Sequence, residues 1–322
     1  MTSPAASADA PLFDPERRLG FFGPAGTFTE QALLTQSDLA ALHLVPFTTI
    51  PDVLGATDSG EVDLGFIPIE NAIEGSVTVT LDLLAFDHDL LIEREVVIAV
   101  HLNLITVPGV DISDIKTVVS YPHALAQCRA FLAEHLPGVQ VQASNSTADA
   151  ARRLAEDPDP TVGALAPARA AEVYGLAIAA RDIEDHPENA TRFVVVGRSG
   201  VPRPTGHDKT SIVVFQRADT PGSLLGILQE FAARAINLTK LESRPTKRGL
   251  GDYCFLIDLE GHIDDELVAD CLRDLKSKQA DVRFLGSYPA AGEHGDSVRR
   301  DADAAWRRAD DWIAELRAQI HD

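Results

Sequence analysis

The sequence is poor in cysteine, in basic residues and in long apolar runs. Its three cysteines, Cys128, Cys254 and Cys271, are an odd number at wide spacings. They predict neither a disulfide framework nor a cysteine metal site, and they indicate a reducing compartment. Lysine and arginine total 28 against 49 aspartates and glutamates, a net charge of -21. This balance argues against nucleic acid and anionic membrane as partners, and no apolar stretch is long enough to span a bilayer.

Residues 1–17 lack the basic and apolar segments of a signal peptide, so we expect a disordered tail and a cytoplasmic protein. Apolar residues make up 45% of the 322 residues, which is ordinary for a globular chain and allows more than one domain. The excess of acidic residues repels an anionic substrate at long range. A site for such a substrate therefore has to supply positive potential locally.

Between residue 18 and about residue 200, short apolar runs alternate with helical patterns, which predicts an α/β domain with largely parallel strands. The apolar run at 93–107 is long enough to cross between two lobes, and the chain returns through 189–197. Two lobes joined in this way predict a cleft, where ligands usually bind. We expect strands at 19–22, 42–47, 62–69, 116–120, 139–143, 162–165 and 189–197, and helices at 27–36, 50–58, 124–135 and 147–155.

A segment rich in glycine and proline at 199–208 predicts a linker. The elements after it follow the order β-α-β-β-α-β, which is the ferredoxin-like pattern. We expect strands at 210–216, 237–244, 253–259 and 282–288, and helices at 221–235 and 264–278. The helix faces predicted to point inward carry Leu224, Leu228, Phe231 and Ala235 in the first helix and Val268, Cys271, Leu272 and Leu275 in the second. A charged C-terminal helix with Trp306, Trp312, Ile313 and Leu316 predicts either a solvated tail or a docking element.

Four polar corners lie where apolar strands begin or end, at 23–30, 68–77, 120–128 and 189–197. In the first, Thr27 and Glu30 form a capping box, and the free N–H groups of the helix start suit a carboxylate. In the second, Ser76 is expected to cap a helix that continues through Leu84. Ser146 is a further expected cap. Each corner alone is typical of ordinary capping, whereas together they predict one cleft for a small polyanion.

These corners resemble, in the same order, the signature motifs of the prephenate dehydratase family. The matching stretches are Gly-Pro-Ala-Gly-Thr-Phe at 23–28, Pro-Ile-Glu-Asn at 68–71, Gly-Ser-Val at 75–77, Ala-Leu-Ala-Gln-Cys at 124–128 and Thr-Arg-Phe at 191–193. Pro-Gly-Ser-Leu at 221–224 and Asn-Leu-Thr-Lys-Leu-Glu-Ser-Arg-Pro at 237–245 resemble the family's phenylalanine-binding ACT domain. The sequence departs from the family at Tyr121 and His123, where Ser-His-Pro-Gln is usual, and at Ser223, where alanine is usual.

The resemblance implies an α/β fold with a two-lobed, periplasmic-binding-protein-like catalytic domain, a ferredoxin-like (βαββαβ) ACT domain and a C-terminal helix. The expected boundaries are 1–17 for the tail, 18–200 for the catalytic domain, 201–209 for the linker, 210–290 for the ACT domain and 291–322 for the helical tail. Ferredoxin-like units expose a sheet edge, and pairing of two copies covers it, so a homodimer or homotetramer is expected.

The implied activity is the decarboxylating dehydration of prephenate to phenylpyruvate, with L-phenylalanine as allosteric effector and with neither cofactor nor metal. The resemblance assigns Thr191 the hydrogen bond to the departing hydroxyl, while Asn71, Ser120 and Gln127 hold the substrate. Further substrate-binding residues implied are Thr27, Glu70, Ser76, Arg192 and Phe193, the last as a pocket wall. The implied effector-binding residues are Gly222, Ser223, Leu224, Asn237, Leu238, Glu242, Ser243 and Arg244.

Other functions remain open at this level. An arogenate dehydratase acts on the aminated substrate, and a non-catalytic module that binds an amino acid or carboxylate shares the two-lobed plan. The missing signal peptide and the Thr-Arg-Phe triplet argue against the binding module. Fusion to a chorismate mutase is disfavoured, because few residues precede the first strand and the C-terminal helix is short. The partner of Arg192 is either a substrate carboxylate or an internal acid.

Overall fold

The computed structural model describes residues 14, 16–216, 220–247, 249, 252–279, 281–291, 312, 317 and 318. The chain divides into two compact units. Met1–Leu83 and Val96–Val195 form the first, and Leu84–Glu95 and Val196–Asp322 form the second. Most of the predicted N-terminal tail and of the predicted C-terminal helix, including Trp306, Ile313 and Leu316, lies outside the described residues.

Strands and helices alternate through the first part of the chain, as the sequence predicts. In chain order they are β1 (Arg18–Phe22), α1 (Phe28–Leu34), α2 (Ser37–Ala40), β2 (His43–Phe47), α3 (Ile50–Ser59), β3 (Leu64–Asn71), β4 (Gly75–Ser76), α4 (Thr78–Asp82), β5 (Leu91–Ala99), β6 (Asn103–Thr106), β7 (Thr117–Ser120), α5 (Pro122–Ala126), α6 (Arg129–His135), β8 (Gln140–Ala143), α7 (Thr147–Glu156), β9 (Val162–Ala166), α8 (Ala168–Tyr174), β10 (Ala177–Ala180) and β11 (Ala190–Gly197). A π-helix follows α4 at Leu83–Asp87.

Two sheets organise these elements. The first has the order β2-β1-β3-β11-β5, with β4 paired to β3, and the second has the order β10-β6-β9-β7-β8. Pairing is parallel around β1 and β7. It is antiparallel where β6 meets β9 and β10, so the prediction of largely parallel strands is wrong on that side of the second sheet. The predicted crossing at 93–107 is confirmed, although a break between β5 and β6 divides it into two strands.

The cores explain why the apolar runs become strands. Strand β11 is buried on both faces through Val194, Val195 and Val196, as a continuous β-branched run predicts. Phe66 of β3 stacks on Phe193 of β11, with ring centroids 5.4 Å apart. Side chains that lie 0–5% exposed, including both phenylalanines, form a core on the first sheet, and others pack on the second sheet.

Three local predictions are corrected. The helix expected at 124–135 is two helices, because the chain turns between Ala126 and Arg129. Ser76 does not cap a helix: it lies in β4, and α4 begins after Val77 without a side-chain cap. Helix α8 and strand β10 were not expected at all. Ser146 does cap α7, where its hydroxyl accepts from the N–H of Asp149.

Residues 208–289, which lie within the second unit, have the predicted β-α-β-β-α-β order. The elements are β12 (Asp208–Phe215), α9 (Ser223–Ala232), β13 (Leu238–Pro245), β14 (Tyr253–Glu260), α10 (Glu266–Lys278) and β15 (Asp281–Pro289). They form an antiparallel sheet in the order β13-β14-β12-β15, which leaves β13 at the end of the order.

The two helices of this unit bury one face each. Val268, Cys271 and Leu275 of α10 are buried as predicted. In α9 the buried positions are Ile227 and Phe231. Ala235 is not part of that face, because it lies beyond the helix end with a φ of 52°, a left-handed conformation that stops the helix.

Among the residues that the structure describes, no helix combines the length and the apolar character needed to cross a membrane.

Candidate functional site

Thr191 and Asn71 meet because β3 and β11 are neighbours in the first sheet. The N–H of Ala72 donates to the carbonyl of Ala190 over 2.8 Å, which ties the end of β3 to the start of β11. At this junction Asn71 Nδ2 donates to Thr191 Oγ1 over 2.9 Å. Two residues 120 positions apart in the chain therefore share one hydrogen bond.

The direction of this hydrogen bond follows from the other end of the amide. Asn71 Oδ1 accepts from the backbone N–H groups of Ile73 and Glu74, both over 3.0 Å. A backbone N–H can only donate, so the amide oxygen has to face the turn and the amide nitrogen has to face Thr191. The Thr191 oxygen thus accepts from Asn71, and its own proton is directed to a different partner.

A cavity of about 270 Å³ opens beside Thr191. It is lined by residues of both lobes of the first unit: Phe28, Asn71, Glu74, Val100, Leu102, Tyr121, His123, Ala124, Gln127, Thr147, Asn189 and Thr191. The two crossing segments supply Val100, Leu102 and Asn189, and the polar corners supply most of the others. The cavity is mostly apolar with a few convergent polar groups, which is typical of a small-molecule site.

Amide side chains continue from Asn71 across the cavity wall. Asn71 Nδ2 also donates to Asn189 Oδ1 over 2.9 Å, and Asn189 Nδ2 donates to Gln127 Oε1 over 3.0 Å. Gln127 Nε2 in turn donates to Glu74 Oε1 over 3.3 Å. His123 completes the series, with Nδ1 at 2.5 Å from Glu74 Oε2. We call these residues, together with Thr191, the amide relay.

The cavity lining carries few charged groups, although the protein as a whole has a net charge of -21. Lysine and arginine are absent from its described lining, and its one carboxylate, Glu74, is paired with His123. Phe28 and Thr147 are the first residues of α1 and α7. The first N–H groups of a helix have no partner within it and carry partial positive charge. Among the described lining, the starts of α1 and α7 are therefore candidates for a source of positive potential.

Six of the nine predicted catalytic and substrate-binding residues lie outside the lining of the cavity: Thr27, Glu70, Ser76, Ser120, Arg192 and Phe193. Ser120 is fully buried at the end of β7, and its hydroxyl donates to the carbonyl of Leu165 over 2.6 Å. Phe193 is 1% exposed and packs on Phe66 in the core, so the expectation that it walls the pocket is wrong. Successive side chains of a strand alternate between faces, so Thr191 and Phe193 share a face, but Phe193 lies deeper along β11.

The other predicted substrate contacts also engage protein partners. Thr27 is buried and caps α1, accepting from the N–H of Glu30 over 3.3 Å, while Glu30 accepts from the N–H of Gly26 over 2.6 Å. In a regular capping box the Glu30 carboxylate would accept from the N–H of Thr27, but here it accepts from the N–H of Gly26, one residue earlier. Arg192 pairs with Glu70, with Nη1 3.3 Å from Oε2, which identifies an internal acid as its partner.

The sequence reasoning missed Asn189, Glu74 and His123 as members of the site. Asn189 carries a usable signal, because it lies two positions before Thr191 and a strand places such residues on one face. Glu74 follows β3 in a polar turn. His123 is a departure from the family pattern, and the sequence alone assigned it no role.

The second unit has its own cavity, of about 660 Å³, at the start of α9. It is lined by Gln216, Thr220, Gly222, Ser223, Leu224, Leu225, Leu228, Ser243, Tyr253 and Phe255. Gly222 has a φ of 90°, and a Cβ placed there would meet no atom within 4 Å, so a larger residue would be strained by its backbone rather than by crowding.

Four of the predicted effector residues lie in this lining, and four do not. Asn237 is exposed and donates to Glu260 Oε1 over 3.0 Å. Glu242 lies 3.7 Å from both Lys240 and Arg244 on one face of β13. Ser243 points to the other face, where it reaches the cavity. Leu238 is half-buried and packs against the core of the unit.

One group of side chains in the described chain could hold a metal: His101, Asp182 and Glu184. Its members lie on the segments that link the two sheets. Glu184 already accepts from the N–H of Leu102 over 2.8 Å and lies 2.8 Å from His101 Nδ1. These hydrogen bonds join the two linking segments, which explains why the three side chains lie close together.

Comparison with known proteins gives a consistent result. The profile of the prephenate dehydratase family matches residues 19–201, and that of the ACT domain matches residues 210–277. A prephenate dehydratase of Amycolatopsis methanolica is 42% identical over 93% of this chain and 97% of its own. The crystal structure of a prephenate dehydratase from Arthrobacter aurescens in complex with L-Phe is 41% identical, with a TM-score of 0.85, over 93% of this chain and 99% of its own. A structure described as a novel type of quorum quenching acylase is 29% identical, with a TM-score of 0.77, over 85% and 98%.

Proposed function

The chain belongs to the prephenate dehydratase family, and we propose that residues 18–200 convert prephenate to phenylpyruvate, CO₂ and water. The observation that carries the proposal is the pair formed by Asn71 and Thr191 in the wall of a cavity. The family resemblance assigns the reaction to this threonine, and the pair turns the threonine proton away from Asn71.

The reaction needs little from the enzyme beyond binding and one proton donor. The ring carboxylate leaves as CO₂, the electrons of its bond enter the ring, and the carbon–oxygen bond to the ring hydroxyl breaks. The departing hydroxide takes up one proton and leaves as water, and the ring becomes aromatic. Since aromatisation drives these steps, assistance to the leaving hydroxyl is the main catalytic demand.

Thr191 meets this demand as a positioned hydrogen-bond donor. A threonine hydroxyl is a weak acid in bulk water, so its contribution is the stabilisation of charge that develops on the leaving oxygen. Asn71 supports it by donating to the threonine oxygen, which leaves the threonine proton for the substrate. Gln127, whose carbonyl is engaged by Asn189, keeps one amide hydrogen for a ligand in the cavity.

The carboxylates of prephenate would bind at the helix starts in the lining. We propose the first turn of α7, at Thr147, and that of α1, at Phe28, in place of the side chains of Thr27 and Ser76. Ser120 acts as a support in this arrangement, because its bond to Leu165 joins β7 to β9 at the base of α5.

Turnover of prephenate is the direct test, because the same fold is reported for an acylase and fold alone does not define activity. Purified protein is mixed with prephenate and, separately, with arogenate, and phenylpyruvate or phenylalanine is measured. Formation of phenylpyruvate at the higher kcat/KM supports the proposal. Preference for arogenate would make the chain an arogenate dehydratase, and binding of prephenate without turnover would leave a binding module.

We further propose that residues 210–290 bind L-phenylalanine in the cavity beside Gly222. The N–H groups at the start of α9 would take the effector's carboxylate, and Leu224 and Leu228 would contact its ring. Strand β13 at the end of the sheet order would pair with a second copy, giving a homodimer or a homotetramer. The three cysteines are free and buried, in keeping with a cytoplasmic location.

Inhibition of turnover by phenylalanine tests this regulatory assignment. An allosteric effector requires different affinities for two states of the enzyme, with a coupling of typically about 1–3 kcal/mol. Wild-type protein should lose activity as phenylalanine is added, and sizing in the presence and absence of the effector should give the oligomeric state.

A further inference from the structure

The amide relay ends in a carboxylate that the proposed mechanism does not use. Glu74 lies in the turn after β3, at the rim of the cavity, with its side chain 40% exposed. It would face a substrate that carries two negative charges, so as an isolated group it would weaken binding. Its presence therefore calls for a function that offsets this cost.

The relay has only one consistent set of hydrogen bonds. At one end the backbone N–H groups of Ile73 and Glu74 fix the amide of Asn71. Its nitrogen then faces Asn189 Oδ1, which turns Asn189 Nδ2 towards Gln127 Oε1. The amide nitrogen of Gln127 is left to face Glu74, and an ionised carboxylate can only accept.

Reversal of any one amide would place two donors or two acceptors opposite each other. If Gln127 turned over, its nitrogen would meet the nitrogen of Asn189, and its oxygen would meet the carboxylate of Glu74. The carboxylate thus accepts at the far end of the series, as the backbone N–H groups donate at the near end. The result is that Gln127 keeps one amide hydrogen, and not its carbonyl, for a ligand in the cavity.

On this basis we propose that Glu74 is a positioning residue for the dehydration: its carboxylate anchors the amide of Gln127. His123 holds the carboxylate in place through its other oxygen. Tyr121 stacks on the His123 ring with centroids 5.3 Å apart, which fixes the ring. The inference rests on the proposed function, because it assigns Glu74 a role in that reaction.

Two substitutions separate positioning from simple charge. Glu74→Gln and Glu74→Met both remove the negative charge and keep the length of the side chain, but only glutamine retains an oxygen that accepts from Gln127. We expect Glu74→Met to lower kcat about tenfold and Glu74→Gln to lower it by less than about threefold, because only the first leaves Gln127 Nε2 without an acceptor. KM for prephenate should stay level or fall in both.

Steady-state kinetics of the full-length protein provide the test, with Glu134→Gln as the matched control. Glu134 is an exposed carboxylate of α6 outside the cavity, so its loss should change neither constant. Melting temperature and inhibition by phenylalanine check that each variant is folded. A positioning role is supported if kcat falls in the order Glu, Gln, Met.

Two results would overturn it. If the glutamine and methionine variants have equal kcat values, charge alone explains Glu74; if both match the wild type, Glu74 has no part in the reaction. These outcomes are distinct from failure of the proposed function, in which the wild-type protein itself fails to convert prephenate or Thr191→Val retains full turnover.

Discussion

Replacement of Thr191 by valine is the most direct perturbation of the proposed chemistry. Valine keeps the shape and the β-branching of threonine, so β11 and its pairing should persist. The change removes the oxygen that accepts from Asn71 Nδ2 and the proton that we propose is donated to the substrate. The hydroxyl group of Thr191 is exchanged for a methyl group, and the substrate site is otherwise unaltered.

The expected effect on turnover is large and the expected effect on stability is small. Loss of one preorganised donor to a developing oxyanion costs roughly 10²–10³ in kcat, so Thr191→Val should retain no more than about 1% of activity. Asn71 Nδ2 keeps Asn189 Oδ1 and the carbonyl of Ala190 as partners, at 2.9 and 3.2 Å. The free energy of unfolding should therefore fall by only about 1 kcal/mol.

Phenylpyruvate formation at saturating prephenate measures kcat, and Thr191→Ser and Thr80→Val serve as comparisons. Serine restores the hydroxyl and should recover much of the activity. Thr80 is fully buried, and its hydroxyl donates to the carbonyl of Pro68 over 2.7 Å outside the cavity lining. Its valine variant should lose stability without losing kcat.

The reasoning about the catalytic threonine would be refuted by one clear result. If Thr191→Val turns over prephenate within threefold of the wild type, the hydroxyl serves only to begin β11, and the leaving group must be assisted by another residue.

Three further predictions concern regulation, acid stability and thiol reactivity. Gly222→Val forces a β-branched residue into a left-handed conformation, so it should abolish inhibition by phenylalanine while basal turnover is retained. Asn237→Ala should abolish inhibition only if effector binding reaches beyond the cavity lining. Assays of inhibition by phenylalanine test both variants. Although burial opposes it, hydrogen bonds from Arg152 and Ser144 lower the pKa of Asp149 overall. The ionised Asp149 carboxylate therefore contributes its full stabilisation above the pKa of an unfolded aspartate, and this contribution is lost as pH falls below about 4. The free energy of unfolding should therefore fall less steeply with decreasing pH in Asp149→Asn than in the wild type. Burial, aided by Asp185 and Glu184, raises the pKa of Cys128 to about 12, so a thiol reagent at neutral pH should label it only after unfolding.

Local patterns in the sequence were sufficient for most elements of the fold. Continuous apolar runs marked β3 and β11, and the serine at 146 marked the start of α7. These features depend on neighbours within a few residues, so they can be read without knowledge of the tertiary structure. The β-α-β-β-α-β order of the second unit was predicted for the same reason.

The errors arose where pairing with another segment, near or distant, decides the local conformation. The turn that divides the helix expected at 124–135 is tied by a hydrogen bond from the N–H of Asp185 to the carbonyl of Gln127, over 2.5 Å. Ser76 pairs with Glu70 in β4 instead of capping a helix. The first competing interaction comes from a segment 58 positions away, whereas the second is a strand pairing across a turn, between residues six positions apart.

The sequence by itself determined the family, most of the order of the elements and three of the polar residues that meet at the cavity, Asn71, Gln127 and Thr191. These follow from local pattern and from motif resemblance. Only the tertiary structure decided which way each amide faces, because that depends on backbone donors and a carboxylate from separate segments. It also moved Phe193 into the core and brought Glu74 into the site, since the burial of a side chain is settled by everything packed around it.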